Sequence, residues 1–105
     1  MDRFGQESEI VEFKKSVAQI EKALKTVCAF LNHKGGTIYF GVSDKGNILG
    51  QDVSDSTIKS ISQKIRHKIR PEILPEIKVL EIEGHMVIEV KVSEGMINLN
   101  IRLKH

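Results

Sequence analysis

Hydrophobic residues along this chain change period between that of a β-strand and that of an α-helix. In residues 10–14, Val11 and Phe13 alternate with polar residues, as in a half-buried strand. A helical spacing follows, in which the apolar residues fall within about a third of a turn: Val17, Ile20, Leu24, Val27, Cys28 and Leu31. A second helical stripe ends before Pro71 and consists of Ile58, Ile61, Ile65 and Ile69. A chain with both periods is expected to pack helices on a sheet.

The remaining segments predict further strands. Residues 37–43 are rich in β-formers, and a turn at residues 44–47 precedes a predicted returning strand at 48–50. Residues 77–83 and 86–92 predict a hairpin, and residues 97–103 alternate between apolar and polar side chains. The first helix is expected to stop at Gly35-Gly36. The predicted order is β-α-β-β-α-β-β-β, an α+β fold with two helices packed on a mixed sheet.

The length and composition restrict the class of protein. A chain of 105 residues fits one domain with one core. No apolar run approaches the roughly 18 residues of a membrane span, and the acidic N-terminus lacks the apolar stretch of a signal peptide. The single cysteine, Cys28, cannot form an internal disulfide. We therefore expect a cytoplasmic protein that does not associate with membranes.

Basic residues are concentrated in the middle of the chain, although the formal net charge is only +2. Residues 14–70 contain eleven Lys and Arg against four acidic residues, whereas both flanking segments are acidic. This distribution favours a polyanionic partner, and a solvated lysine-rich surface is the alternative. In the second predicted helix, Lys59, Arg66 and Arg70 project away from the isoleucine stripe. The residues predicted to contact phosphates of DNA or structured RNA are Lys14, Lys15, Lys34, Lys59, Arg66, Lys68 and Arg70.

Aromatic residues are too few to form a platform for unpaired bases. The chain has four Phe and one Tyr, and we expect Phe13 and one of Tyr39 and Phe40 to lie in the core. Duplex or otherwise structured nucleic acid, held through its backbone, is therefore the favoured ligand. Such binding requires no cofactor.

Three acidic residues flank or occupy the first two predicted strands. If these strands are neighbours, Glu7, Glu12 and Asp44 would meet at one end of the sheet. Carboxylates without a thiol or imidazole favour Mg²⁺ or Mn²⁺, the ions of phosphodiester cleavage, and Lys14 shares a strand face with Glu12. The alternative to a metal site is that Glu12 and Lys14 form a solvated ion pair and that Asp44 is simply part of a turn.

Other site patterns are incomplete. Gly36 and Gly41 have the spacing of a phosphate-binding loop, but Val-Ser follows where Lys-Ser/Thr is required. The four histidines do not pair at metal-ligand spacing, and one cysteine cannot form a zinc site. Cys28 belongs to an apolar helix face, which favours packing over catalysis.

Two longer motifs resemble those of a known family. Residues 7–14, Glu-Ser-Glu-Ile-Val-Glu-Phe-Lys, match Glu-Ser-x-x-x-Glu-Phe-Lys. Residues 29–46 match Ala-Phe-x-Asn-x-x-Gly-Gly-x-x-x-x-Gly-Val-x-Asp-x-Gly, and Ile-Leu-Gly follows at 48–50. Over about residues 5–93 the chain resembles the Schlafen AlbA-like domain. That domain occurs in bacterial and archaeal transcriptional regulators of the divergent AAA type and in animal Schlafens.

The resemblance implies an Alba-related α+β fold that binds DNA or RNA. In some Schlafens the carboxylates of this motif form a metal-dependent endoribonuclease site acting on tRNA and rRNA, which would correspond here to Glu7, Glu12 and Asp44, with Lys14 beside them. Microbial members are mostly regarded as DNA-binding modules of larger regulators. We therefore expect a DNA-binding module of a transcriptional regulator, with a Mg²⁺- or Mn²⁺-dependent endoribonuclease as the alternative.

The C-terminal residues depart from the family pattern. Residues 94–105 contain neither the Pro nor the aromatic residues usual after the last sheet strand, and the usual downstream, ATP-binding domains are not in the sequence. We expect an atypical C-terminal strand whose free edge could pair with a second copy, making a homodimer.

Overall fold

The computed structural model describes residues 5–93 in full and the backbone of residues 102–103. This part of the chain contains two helices and six strands, and a 3₁₀ turn at Val17–Gln19 precedes the first helix. The elements are β1 (Val11–Lys14), α1 (Ile20–Leu31), β2 (Gly35–Phe40), α2 (Asp55–Lys68), β3 (Ile69–Arg70), β4 (Glu76–Ile82), β5 (His85–Ser93) and β6 (Arg102–Leu103). None of the described helices is long and apolar enough to span a membrane.

The main sheet has four strands in the order β1-β2-β5-β4. β1 runs parallel to β2, whereas β5 is antiparallel to both β2 and β4, so the sheet is mixed. β3 and β6 form a separate antiparallel pair. The predicted α+β class, with two helices packed on a mixed sheet, is confirmed.

The two faces of the main sheet have different character. Ile38 and Phe40 of β2, with Ile88 and Val90 of β5, belong to the core that contains the buried side chains of both helices. Phe13, Val42 and Val87 form a smaller buried cluster, against which Tyr39 packs. Because neighbours along a strand point to opposite faces, Tyr39 lies on the face opposite to Phe40. We call the face that bears Tyr39 the open face.

Helix α1 is shorter than its hydrophobic stripe predicts. Ser16 caps the 3₁₀ turn by accepting a hydrogen bond from the N–H of Ala18, and the α-helix begins only at Ile20. The helix ends at Leu31, before the glycines that were expected to stop it, and Gly35 already belongs to β2. Gly36 lies so close to the ring of Phe30 that a Cβ there would be 2.7 Å from three ring carbons.

The predicted strand at 37–43 and its returning partner at 48–50 need correction. β2 ends at Phe40 because Gly41 has a φ of +105°, which breaks the extended conformation. Beyond it, Val42 and Ile48 form only an isolated antiparallel bridge. The observed order is therefore β-α-β-α-β-β-β-β, in which a short strand after α2 replaces the expected strand before it.

The C-terminal half follows the predicted pattern more closely. Helix α2 gives way at Ile69 to β3, and the Arg70–Pro71 peptide bond is cis. β4 and β5 form the predicted hairpin, which turns at residues 83–84. In the predicted terminal strand, residues 102–103 pair with β3, and residues 97–101 lie outside the described part of the chain.

The outer edge of β1 is covered by the residues that precede it. Ser8 and Val11 exchange backbone hydrogen bonds of 2.9 and 3.4 Å. The Oε2 atom of Glu7 accepts a hydrogen bond of 3.0 Å from the backbone N–H of Phe13. The N–H groups of Val11 and Phe13 thus both have partners at the edge away from β2.

Candidate nucleic-acid interface

Helix α2 presents basic side chains on its outer surface because its apolar stripe is packed into the core. The helix begins with a capping box in which Ser54 and Thr57 each accept a hydrogen bond from the other's backbone N–H. Ile61 and Ile65 are fully buried, and this orientation fixes which side chains face outward. The α2 basic surface, as we define it, consists of Lys59, Lys64, Arg66, His67 and Lys68, of which only Lys68 is half-buried.

The end of α2 holds two predicted phosphate contacts that already have partners in the chain. Nη1 of Arg70 donates to the carbonyl oxygens of Arg66 (2.7 Å) and Ile69 (3.0 Å). A cation at this position satisfies carbonyls that have no helical partner and complements the negative end of the helix. Nη2 of Arg66 lies 3.3 Å from Oε1 of Glu72. Arg70 therefore stabilises the end of the helix, while Arg66 remains on the outer surface.

The other predicted cations lie on separate elements. Lys15 follows β1 and Lys34 precedes β2, and both are exposed. Lys14 is different, because its Nζ atom is 3.0 Å from Oε2 of Glu12 and its side chain is only 14% exposed. Of the seven predicted contacts, the structure places Lys59, Arg66 and Lys68 on one helix, with Arg70 at its end.

The structure brings together the segments that carry the three predicted carboxylates. Glu7 reaches Phe13 of β1, next to Glu12. Gly46, in the turn that contains Asp44, is packed against the backbone of Gly5. The segments therefore meet at the end of the sheet where β1 and β2 finish.

The carboxylates themselves are not arranged as a set of metal ligands. Glu12 is paired with Lys14, Glu7 accepts from the backbone of Phe13, and Asp44 is exposed. In the described residues, no group of three His, Cys, Asp or Glu side chains is placed to hold a metal ion. The donor chemistry suits Mg²⁺ or Mn²⁺, but these side-chain positions do not fit such an ion. The assignment of a metal to Glu7, Glu12 and Asp44 stays a prediction.

Two acidic partners were not identified from the sequence. Glu72 lies outside the acid-free helix, in the loop after β3, and its Oε1 atom is 3.3 Å from Nη2 of Arg66. Glu89 of β5 is directly opposite Tyr39 on the open face. Burial, together with the hydrogen bond and charge of Glu89, raises the pKa of the Tyr39 phenol to about 12. The Tyr39–Glu89 contact leaves no local signal, because it depends on how β2 and β5 pair. The Arg66–Glu72 contact joins residues six apart across the end of α2, which helical periodicity does not describe.

The family model described as Schlafen, AlbA_2 matches residues 7–102. This chain belongs to the Schlafen AlbA_2 family. The match extends past residue 93, at which the sequence predicted the Schlafen-like domain to end. Among curated proteins, no sequence matches the chain significantly.

Solved structures of similar fold include two bacterial proteins. The N-terminal domain of a RecG-related protein from Nitrosomonas europaea superposes with a TM-score of 0.77 at 22% identity, over 96% of this chain and 74% of that one. The DIP2311 protein from Corynebacterium diphtheriae superposes with a TM-score of 0.67 at 22% identity, over 83% of this chain but only 18% of that one. At these identities the likeness shows the fold.

Proposed function

We propose that this Schlafen AlbA_2 domain binds nucleic acid, duplex DNA in particular, through the α2 basic surface. The observation that carries the proposal is the orientation of α2. Burial of Ile61 and Ile65 turns Lys59 and Arg66 outward on a helix that has no acidic residue after Asp55. Long cations along one helix can each contact a phosphate.

The small number of accessible rings supports a duplex over unpaired bases. Phe13, Phe30 and Phe40 are buried, and Tyr39 is half-buried beside Phe13, with ring centroids 6.3 Å apart. The described residues therefore offer no series of exposed rings on which successive bases could stack. The RecG-related neighbour, described as related to an ATP-dependent DNA helicase, agrees with a DNA partner.

The proposal is tested by the salt dependence of binding. We expect the affinity for a labelled DNA duplex, measured by fluorescence anisotropy, to fall about tenfold per doubling of salt if about four phosphates are engaged. In the variant Lys59→Gln/Arg66→Gln, binding should weaken and the slope of log K against log salt should decrease in magnitude by about two.

A matched control is the variant Lys22→Gln/Lys25→Gln, which removes two exposed cations from α1 and so changes the net charge equally. This variant should keep the slope of the wild type. Equal losses in the two variants, or wild-type affinity that hardly responds to salt, would contradict a specific role for α2.

A divalent-metal-dependent endoribonuclease is the alternative. Incubating the protein with labelled tRNA and Mn²⁺, with Glu12→Ala as control, separates the two functions. Under the binding proposal the RNA stays intact. Metal-dependent cleavage that disappears in the variant would replace the binding proposal by a nuclease that uses Glu7, Glu12 and Asp44.

We further propose that the domain acts inside a transcriptional regulator. We also propose that it forms a homodimer through its C-terminal strand. β6 pairs with β3 along one edge, and a second copy would use the other edge. Light scattering at rising protein concentration tests the dimer.

A further inference from the structure

The Arg66–Glu72 pair joins the α2 basic surface to the loop that follows β3. Residues 56–70 contain no acidic residue, so the carboxylate on Arg66 comes from outside the helix. The distance from Nη2 to Oε1 is 3.3 Å, and both side chains are about half exposed, at 50% and 59%. A phosphate can therefore approach the same guanidinium from solvent.

We propose that Glu72 restrains nucleic-acid binding by occupying Arg66, so that a phosphate must displace the carboxylate before Arg66 can contribute. This inference rests on the proposed function. An exposed ion pair contributes little to stability, because solvent screens it and two side chains must be ordered. An arginine–phosphate pair is charge-assisted and often bidentate, so the exchange is feasible.

The backbone around Arg66 limits the exchange to its side chain. Nη1 of Arg70 holds the carbonyl oxygen of Arg66 at 2.7 Å, which keeps the last turn of α2 in place. Arg66 can then leave Glu72 by rotating its own side chain, without unwinding the helix. After the exchange, the freed carboxylate still lies near the bound phosphate and repels it. Glu72 thus lowers affinity both by competing for Arg66 and by opposing the phosphate.

The test compares Glu72→Gln with a closely matched control, Glu76→Gln. Glu76 is also paired with one cation, at 3.5 Å from Nζ of Lys78, and both side chains of that pair are 58% exposed. Each substitution removes one negative charge, so any effect of net charge is the same. In anisotropy titrations with a DNA duplex at low salt, Glu72→Gln should bind about three- to tenfold more tightly than wild type, and Glu76→Gln less than about twofold.

A double-mutant cycle with Arg66 isolates the contact. In an Arg66→Gln background, the gain from Glu72→Gln should shrink to that from Glu76→Gln, because there is no guanidinium left to release. The salt slope of Glu72→Gln should stay close to that of wild type, because Arg66 engages one phosphate in both proteins and only the competing carboxylate is removed.

The outcomes separate this inference from the proposed function. Wild-type protein that binds duplex while Glu72→Gln and Glu76→Gln behave alike would overturn the role of Glu72 alone. A gain from Glu72→Gln that persists in full without Arg66 would also overturn it. Wild-type protein that does not bind a duplex would remove the proposed function and this inference together.

Discussion

Arg70 and Lys14 both have partners within the chain, which makes their charges less available to a phosphate. Arg70 lies beyond the last turn of α2 and donates to two carbonyl oxygens there. Lys14 is largely buried against Glu12 on β1. Residue type, with helical spacing as well for Arg70, placed both in a predicted interface. Their partners lie within four residues in the sequence, but periodicity does not describe whether a side chain turns back onto its own chain, so the sequence overstates the number of cations available to phosphate.

Tyr39 provides a test of the open face at the scale of one residue. It is the only tyrosine in a chain without tryptophan, so the absorbance of tyrosinate reports it directly. Burial and Glu89 raise its pKa from 10.0 to about 12. Folding therefore favours the neutral phenol, and its contribution to stability, complete below pH 10, is lost as the pH rises toward 12.

The measurement is a spectrophotometric alkaline titration, followed in parallel by circular dichroism. In Glu89→Gln we expect the midpoint to move only part of the way back toward 10.0, because burial is the larger cause. A wild-type midpoint near the ordinary value while the fold is intact would show that Tyr39 is solvated.

At the scale of elements, the helices were more predictable than the strands that join them. An apolar stripe reports which face of a helix is buried, so the direction of the cations on α2 followed from Ile61 and Ile65. The end of β2 did not follow, because Gly41 adopts a left-handed φ within a β-rich run. β3 has only two residues and exists through its pairing with β6, so no local pattern identifies it.

The N-terminus of α2 gives a prediction at this scale. Ser54 accepts a hydrogen bond from the N–H of Thr57 and thereby caps the helix. Ser54→Ala should lower the free energy of unfolding by about 1 kcal/mol, measured by urea denaturation.

Ser60→Ala is the control within the same helix. Because alanine has the higher helix propensity, stability should be unchanged or slightly greater. If the two variants lose equal stability, the cap does not contribute as described.

At the scale of the whole molecule, the two faces of the main sheet are parts of one folding unit. Tyr39 on the open face is followed directly by Phe40 in the helix-side core, and Val87 is followed by Ile88. Strands β2 and β5 thus contact both clusters, so we expect the two clusters to unfold together. The sequence predicted strands and helices in one core, but it could not predict that β5 would lie between β2 and β4.

This arrangement predicts a single cooperative unfolding transition. Tyrosine fluorescence, which reports the open face, and far-ultraviolet circular dichroism, which reports mainly the helices, should give the same midpoint in urea. Separate midpoints would mean that the helices can leave the sheet while its open face remains ordered.

The covered edge of β1 also limits how molecules of this kind could associate through their sheets. Growth of a fibre by strand addition needs an acceptor edge on each side of every subunit. Here the Glu7 carboxylate and the Ser8 backbone occupy the outward N–H groups of β1, while within the described part of the chain β4 has no strand on its outer side. Two molecules joined along β4 would present only covered β1 edges to a third. Association through this sheet would therefore stop at a pair. Glu7, which occupies an outward N–H group of β1, would prevent a third molecule from adding there.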